Sequence, residues 1–124
     1  MSANDAQAQL AQMLNKPLYV ALREPKDLNR MHELLSAHLA WAVGSERRGE
    51  IFASGPFVAE GCPPGTQGGM TIVRAGSYEE AHRILSFDPF VKEGVVTFTL
   101  RKWILMEGGF SVTVRFSDQS SRLS

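Results

Sequence analysis

The chain has a single cysteine, no long apolar run and no excess of charge of either sign. Among its 124 residues, Lys and Arg together number 13, and so do Asp and Glu. The lone thiol of Cys62 cannot form an internal disulfide or complete a thiolate metal site, which is typical of a protein from a reducing cytoplasm. Without a block of one charge, the chain also lacks the pattern of proteins that bind nucleic acid or anionic membranes.

The sequence predicts neither a targeting segment nor a membrane-spanning segment. The N-terminal stretch "MSANDAQAQLAQML" has neither the basic start nor the apolar core of a signal peptide. No run approaches the roughly 18 apolar residues of a transmembrane helix. At this length one domain is expected, and we predict a cytoplasmic protein whose partners are copies of itself and a small molecule.

Motifs for metals, cofactors and nucleophilic catalysis are missing as well. The three histidines have no HExxH or equivalent spacing, and His32 and His82 are predicted to be surface residues. Cys62 has no neighbouring base, which argues against a nucleophilic thiol. The glycine-rich loop at 61–69, "GCPPGTQGG", lacks the lysine and hydroxyl residue of a phosphate-binding loop. We therefore predict no metal and no cofactor, and interpret the loop as a candidate lid.

What the sequence does contain is an alternation of strand and helix patterns. A short amphipathic helix is predicted at 5–14, capped by Asn4 or Asp5, inside an N-terminal extension that covers residues 1–16. Strands are predicted at 17–23, 50–58, 70–75 and 95–106, with Gly55 and Pro56 at a bulge or edge. One helix should begin at Asp27 and end near residue 49, and another should run from Ser77 to Asp88. A fifth strand is expected within 110–116, followed by a disordered tail at 117–124.

This order predicts an α+β fold of the ferredoxin-like, split βαβ type, formed by residues 17–116. Its sheet should carry both helices on one face. The last strand is apolar on both sides, with Phe98 on one side and Trp103 on the other, so the second face also needs a cover. Face-to-face homodimerisation would supply one and close a barrel-like core.

One histidine, His38, lies among apolar residues of the first long helix. Its neighbours on the predicted buried stripe are Leu28, Met31, Leu35, Leu39 and Ala42. Helical periodicity places His38 near the middle of that stripe, facing the sheet. Asp88 is predicted at the carboxyl end of the second helix, where the dipole disfavours a negative charge by about 0.3–1 kcal/mol, so it should seek a cation or a donor.

Because both helices lie on one face of such a sheet, His38 and Asp88 can meet. A carboxylate that fixes the tautomer of an imidazole leaves its other nitrogen free to exchange protons with a substrate. The same pair could instead be a buried bridge that only stabilises the fold, and spacing alone does not separate the two. Ser54 could add a hydroxyl at the edge of the sheet, although a serine in this position is more often structural.

Four segments in order, "SAHLAW", "ASGPF", "SYEEAHRIL" and "DPFVKEGVV", resemble the YCII-related family of small dimeric α+β barrels. The resemblance covers about residues 17 to 106. It implies homodimers with the architecture of muconolactone isomerase-like barrels, and an active-site pair matched here by His38 and Asp88. The serine before "GP" in that family matches Ser54. The N-terminal extension and the added "GGFSVTVRF" depart from the family pattern.

The resemblance and the residues together lead to one hypothesis about function. We expect a cofactor-independent enzyme that transfers protons on a small cyclic or aromatic compound, by elimination, such as dehydrochlorination, or by isomerisation. His38 would be the general base and acid, Asp88 would orient it, and Ser54, Gly55 and Pro56 would bind substrate oxygen. The alternative is a non-enzymatic dimeric domain that binds a ligand or assists another protein, with a structural His–Asp pair.

Overall fold

The computed structural model describes residues 2–124 and divides them into two compact units. One unit is Pro17–Ile104; the other joins the residues up to Lys16 with Leu105–Ser124. The helices are α1 (Ala3–Gln12), α2 (Leu28–Arg47), α3 (Tyr78–Ser86) and α4 (Pro89–Lys92). The strands are β1 (Lys16–Pro25), β2 (Ile51–Pro56), β3 (Gly69–Val73), β4 (Val96–Leu105), β5 (Val112–Val114) and β6 (Ser121–Leu123).

The larger unit has the predicted ferredoxin-like arrangement. Its four-stranded sheet has the order β2-β3-β1-β4, with β3 antiparallel to both β1 and β2. In this order the first and third strands are central, as the split βαβ fold requires. The helices pack on one face of the sheet, so the prediction of an α+β fold with one helix-covered face is confirmed.

The main core lies between the sheet and α3. Tyr19 and Ala21 of β1 face the helices and pack with Ala81, Ile84 and Leu85 of α3. These positions follow the two-residue period of the strand and the three- to four-residue period of the helix. The sequence also predicts that Tyr78 is buried with Ala81 and Leu85 in this helix, but Tyr78, its first residue, is 49% exposed.

α2 begins where the sequence predicts, but its apolar stripe is only partly buried. The Asp27 carboxylate accepts a hydrogen bond from the Arg30 N–H and caps the helix. Leu28, Leu35 and Leu39 are 44–51% exposed, so the prediction of one buried stripe is wrong for them. The helix is turned so that His38, rather than the leucines, is closer to the sheet side. Among the described helices, none is both long and apolar enough to cross a membrane.

β2 lies at the edge of the sheet and leads into the loop at 57–68. Pro56 ends this strand, where its missing N–H costs no ladder bond, so the edge was correctly predicted. The register irregularity falls between Ile51 and Ala53 instead of at Gly55. The loop is closed by a hydrogen bond from the Phe57 N–H to the Gly68 carbonyl, at 2.9 Å.

The second unit departs from expectation at both of its ends. Ser2, and neither Asn4 nor Asp5, caps α1, and the Asp5 side chain completes the capping box. β5 lies within 110–116, where a fifth strand is predicted. The tail at 117–124, which was expected to be disordered, forms β6. Val112 pairs with Leu123 and Val114 with Ser121, so the chain turns back on itself as a hairpin.

Candidate active site

Asp88 is the centre of a buried polar cluster. α3 ends at Ser86 and Asp88 caps α4, so the prediction that its charge faces the carboxyl end of a helix is wrong. Its side chain is fully buried, and Oδ1 accepts a hydrogen bond from the Phe90 N–H at 3.0 Å. Pro89 at the first helical position has no N–H to satisfy. The cap therefore holds the carboxylate in a fixed orientation, and an N-terminal dipole favours its charge.

Two side chains from other elements converge on this carboxylate. His38 of α2 places Nδ1 2.9 Å from Asp88 Oδ1. Arg23 of β1 donates through Nη2 to Asp88 Oδ2 and forms an ion pair with it. The sheet, the long helix and the short helix thus meet at one residue, and the structure brings His38 and Asp88 together at the distance that a hydrogen bond requires.

Arg23 was not among the predicted site residues, although the sequence contains a signal for it. It is in phase with Tyr19 and Ala21, the positions of β1 that face the helices, and only 9% of its side chain is exposed. A guanidinium on the covered face of a sheet needs an anionic partner. The alternation of the strand identifies Arg23 once the helix-covered face of the sheet is known.

The ionisation of Asp88 follows from these contacts. Burial opposes its charge, but the hydrogen bonds from His38 and Arg23, together with the positive charge of Arg23, outweigh burial and hold the pKa of the carboxyl below its ordinary value. An ionised carboxylate only accepts hydrogen bonds. The Nδ1 atom of His38 must then carry the proton, which assigns the tautomer and leaves the lone pair of the neutral ring on Nε2.

The imidazole ring of His38 is also held by packing. The Phe90 ring lies parallel to it, with centroids 4.1 Å apart and planes at 6°. Phe90 follows the Asp88 cap by two residues, so α4 both orients the ring and supports one of its faces. Among residues 2–124, no group forms a hydrogen bond to Nε2, and the ring borders a cavity. A basic nitrogen is therefore available to a bound molecule.

This cavity has a volume of about 310 Å³, which suits a small cyclic compound. Three polar side chains line it: Arg23, His38 and Ser54. The other lining residues are apolar or glycine: Pro25, Met31, Leu35, Leu39, Gly55, Pro56, Pro64, Gly65, Gly68, Gly69, Phe90 and Val96. Leu35 and Leu39, two of the half-exposed leucines of α2, thus form part of its wall. Such a site combines an apolar enclosure with a few polar groups that orient a ligand.

Ser54, Gly55 and Pro56 all line the cavity. Ser54 lies opposite Thr71 in the β2–β3 ladder, and their hydroxyl oxygens are 2.8 Å apart. Thr71 in turn accepts a hydrogen bond from Arg23 Nη1 at 3.4 Å. Thr71 was not predicted, because a threonine in a strand gives no distinctive signal. A continuous polar chain therefore connects Ser54 to Asp88.

The remaining chemically active side chains lie outside this cluster. His32 and His82 are exposed, as predicted, and so is Cys62. Pro64 and Gly65 of the 57–68 loop border the cavity, consistent with the interpretation of this loop as a cover. Within the described residues, no group of three or more His, Cys, Asp or Glu side chains is arranged to hold a metal ion.

The fold and the site define a small α+β protein with a mostly apolar cavity beside a partly buried His–Asp pair. The family model of the YCII-related domain matches residues 17–103, a range that includes nearly all of the four-stranded sheet and every residue that lines the cavity. The chain belongs to the YCII-related family.

A solved structure with the same fold gives a more specific comparison. It is 5-chloro-2-hydroxyhydroquinone dehydrochlorinase of Burkholderia phenoliruptrix AC1100, in complex with 2,5-dihydroxybenzoquinone. The two sequences are 25% identical, the match covers 69% of this chain and 92% of that one, and the TM-score is 0.59. A search of curated proteins finds no significant match.

Proposed function

We propose that the protein is an enzyme that eliminates a small leaving group from, or isomerises, a small cyclic or aromatic compound, without a cofactor. The observation that carries the proposal is the ring of His38, fixed by an ionised, buried Asp88 and bordering a mostly apolar cavity. The dehydrochlorinase of similar fold supports elimination from a chlorinated, hydroxylated ring.

The proposed mechanism assigns one role to each polar group. In the keto tautomer of the substrate, the carbon that bears chlorine also carries a hydrogen that has moved there from a hydroxyl group. The Nε2 atom of His38 removes a proton from a remaining hydroxyl, whose O–H electron pair forms a carbonyl and shifts the ring electrons so that the C–Cl bond breaks and chloride leaves. The products are the dechlorinated ring, chloride and the proton held by His38, which then passes to solvent. Asp88 keeps the ring oriented and stabilises its protonated form, while Ser54 binds a substrate oxygen. In an isomerisation, His38 would return the proton to another atom of the same ring.

Replacement of His38 tests this proposal. For His38→Gln we expect kcat/KM for 5-chloro-2-hydroxyhydroquinone to fall by about 10²–10⁴-fold, the usual contribution of a general base. Chloride release and the absorbance of the quinone product measure the rate, and circular dichroism checks the fold. His82→Gln is the matched control, because His82 is exposed and does not border the cavity. Unchanged turnover in His38→Gln would refute the assignment of His38 as the base.

The competing hypothesis is a dimeric ligand-binding or accessory domain in which the pair only bridges elements. A structural pair should be sealed by neighbouring side chains, whereas His38 borders open space of a size that suits a ligand. Under this hypothesis, His38→Gln would bind 2,5-dihydroxybenzoquinone about as well as the wild type, and neither protein would show turnover.

We also propose that the protein forms a homodimer through the second face of its sheet, defined here by Val20, Leu22, Met70, Ile72 and Trp103. These side chains border a shallow cavity of about 400 Å³ together with Arg101 and Lys102. Leu22 and Trp103 remain 42% and 40% exposed. A contiguous apolar surface of this kind on a sheet is a typical association surface.

A further inference from the structure

The polar chain that links Ser54 to Asp88 runs through one deeply buried hydroxyl group. Thr71 is 1% exposed, and its Oγ1 lies 2.8 Å from Ser54 Oγ and 3.4 Å from Arg23 Nη1. The strand register explains the arrangement, since Thr71 is paired with Ser54 on one side and with Ala21 on the other. Arg23 follows Ala21 by two residues, so all these side chains share one face.

The direction of each hydrogen bond in this chain can be deduced. A guanidinium only donates, so Thr71 Oγ1 must accept from Arg23. The hydroxyl proton of Thr71 is buried and needs an acceptor of its own. Within residues 2–124, the oxygen that remains within reach is Ser54 Oγ. Thr71 therefore donates to Ser54, and the proton of Ser54 must point elsewhere.

We propose that Arg23 and Thr71 are positioning residues that turn the hydroxyl proton of Ser54 into the cavity. Ser54 then acts as a hydrogen-bond donor, and the site selects rings that carry a carbonyl or deprotonated hydroxyl oxygen. This inference rests on the proposed function, because removal of a proton by His38 sends negative charge onto such an oxygen. A donor already aimed at that charge stabilises it without reorganisation.

Arg23 is the branch point of this arrangement. One of its terminal nitrogens donates to Asp88, which orients the base, and the other donates to Thr71, which orients Ser54. A single guanidinium thus fixes, through Asp88, the base that accepts a proton from the substrate and, through Thr71, the hydroxyl that donates a hydrogen bond to the charged substrate oxygen. The Arg23 side chain lies on the helix-covered face of the sheet, and only 9% of it is exposed.

Binding of 4-nitrophenolate, a ring with one anionic oxygen, tests the proposal without turnover. Titration followed by absorbance gives its affinity for the wild type and for Ser54→Ala, Thr71→Val and Thr71→Ser. We expect Ser54→Ala to bind about tenfold or more weakly, as for loss of a hydrogen bond to a charged group. Thr71→Val should also weaken binding, and Thr71→Ser, which keeps the hydroxyl, should restore it.

Two controls separate orientation of the donor from a change in cavity shape. 4-Nitrotoluene has a similar ring without the oxygen, and its affinity, measured by calorimetry, should be the same in every variant. Thr99→Val makes the same replacement in another strand, at an exposed residue that does not border the cavity, and should bind 4-nitrophenolate normally. Because Ser54 is exposed, Ser54→Ala keeps the test available if Thr71→Val does not fold.

Three results would overturn the inference. The first is wild-type affinity for 4-nitrophenolate in both Ser54→Ala and Thr71→Val. The second is a parallel loss of 4-nitrotoluene binding in these variants, and the third is a wild type with no preference for the anionic probe. A protein that binds the probes as expected but turns over no chlorinated ring would contradict the proposed function and leave this inference standing.

Discussion

Asp88 has three structural roles at once. It caps a helix, balances the charge of Arg23 and fixes the tautomer of His38, all with a carboxylate that is fully buried. Removal of one partner from a buried ion pair commonly costs about 3–5 kcal/mol, because the other charge is left without compensation. The residue therefore connects the stability of the fold directly to the geometry of the site.

The lowered pKa of Asp88 predicts how stability depends on pH. An unfolded aspartate titrates near pH 3.9, and the folded carboxyl titrates below that value. In acid the unfolded chain therefore takes up this proton more readily, so the contribution of Asp88 to stability is complete above about pH 5 and is lost as the pH falls through the folded-state pKa. Urea unfolding of the wild type and Asp88→Asn measures this effect.

Asp88→Asn should be the less stable protein near neutral pH, and the difference in unfolding free energy should shrink as the pH falls below about 4. The variant keeps the size of the side chain, which limits any change in packing. A constant difference between pH 7 and pH 3 would contradict the ionised, paired state of Asp88.

At the scale of single residues, the sequence predicts the groups that stand out from their surroundings. His38 and Asp88 are polar residues in apolar segments, and Ser54 precedes a glycine and a proline at a strand end. Arg23 and Thr71 follow ordinary strand patterns, and their importance depends on which side of the sheet the helices cover. That information belongs to the tertiary structure, and alternation alone supplies it only after the fold is known.

At the scale of elements, α4 is the helix that the sequence did not predict, and it determines the geometry of the site. Four residues long, it gives the "DPF" segment its physical meaning: a cap, a first-turn proline and an aromatic ring stacked on His38. The sequence suggested one longer helix that ended at Asp88, because the residue before a proline often ends a helix. Asp88 is also the N-cap of the next helix, α4. The dipole of α4 therefore stabilises its negative charge, whereas the sequence analysis predicted that a helix dipole would destabilise it.

Other helix boundaries were predictable because their signals are local. Asp27 and Ser77 each accept a hydrogen bond from the third residue of the helix that follows. The spacing of Ser77 and Glu80 also predicts a capping box, in which the Glu80 carboxylate would accept from the Ser77 N–H, but it accepts from the Gly76 N–H at 2.8 Å. A cap is set by a few adjacent residues. The rotation of α2 about its axis depends on packing against other elements, which is why its buried stripe was misjudged.

The start of β3 requires glycine at residue 68. Gly68 has φ +74, and a Cβ placed there would lie 2.1 Å from the Arg23 carbonyl oxygen. Gly68→Ala should therefore destabilise the protein by more than the roughly 1–2 kcal/mol expected for a left-handed residue alone. Gly61→Ala is the matched control. Chemical denaturation of Gly68→Ala and Gly61→Ala measures the loss of unfolding free energy in each.

Gly61 has a similar φ of +78 but no atom within 4 Å of the position of a Cβ, so its variant isolates the backbone term. Because Arg23 belongs to the site, Gly68→Ala should also weaken binding of 4-nitrophenolate. Equal unfolding free energies for the two variants would contradict this prediction. They would show that the loop at Gly68 can move away from the Arg23 carbonyl without loss of stability.

At the scale of the whole molecule, the second face of the sheet predicts assembly. In Trp103→Glu, a charge replaces an aromatic side chain in the proposed interface, and desolvation of that charge should disfavour association. Sedimentation velocity should show a dimer for the wild type and a smaller species for the variant. Tyr78→Glu is the control, since Tyr78 is comparably exposed but lies on α3, against the other face. A monomeric wild type would refute the homodimer.

The cavity is bordered by two kinds of structure. Its polar groups stand on the hydrogen-bonded sheet and on capped helices, whereas Pro64 and Gly65 belong to a loop without regular secondary structure. Loops tolerate substitutions and insertions that strands do not. Under the proposed function, substitutions in residues 57–68 would change which ring the cavity admits and leave His38 and Asp88 in place.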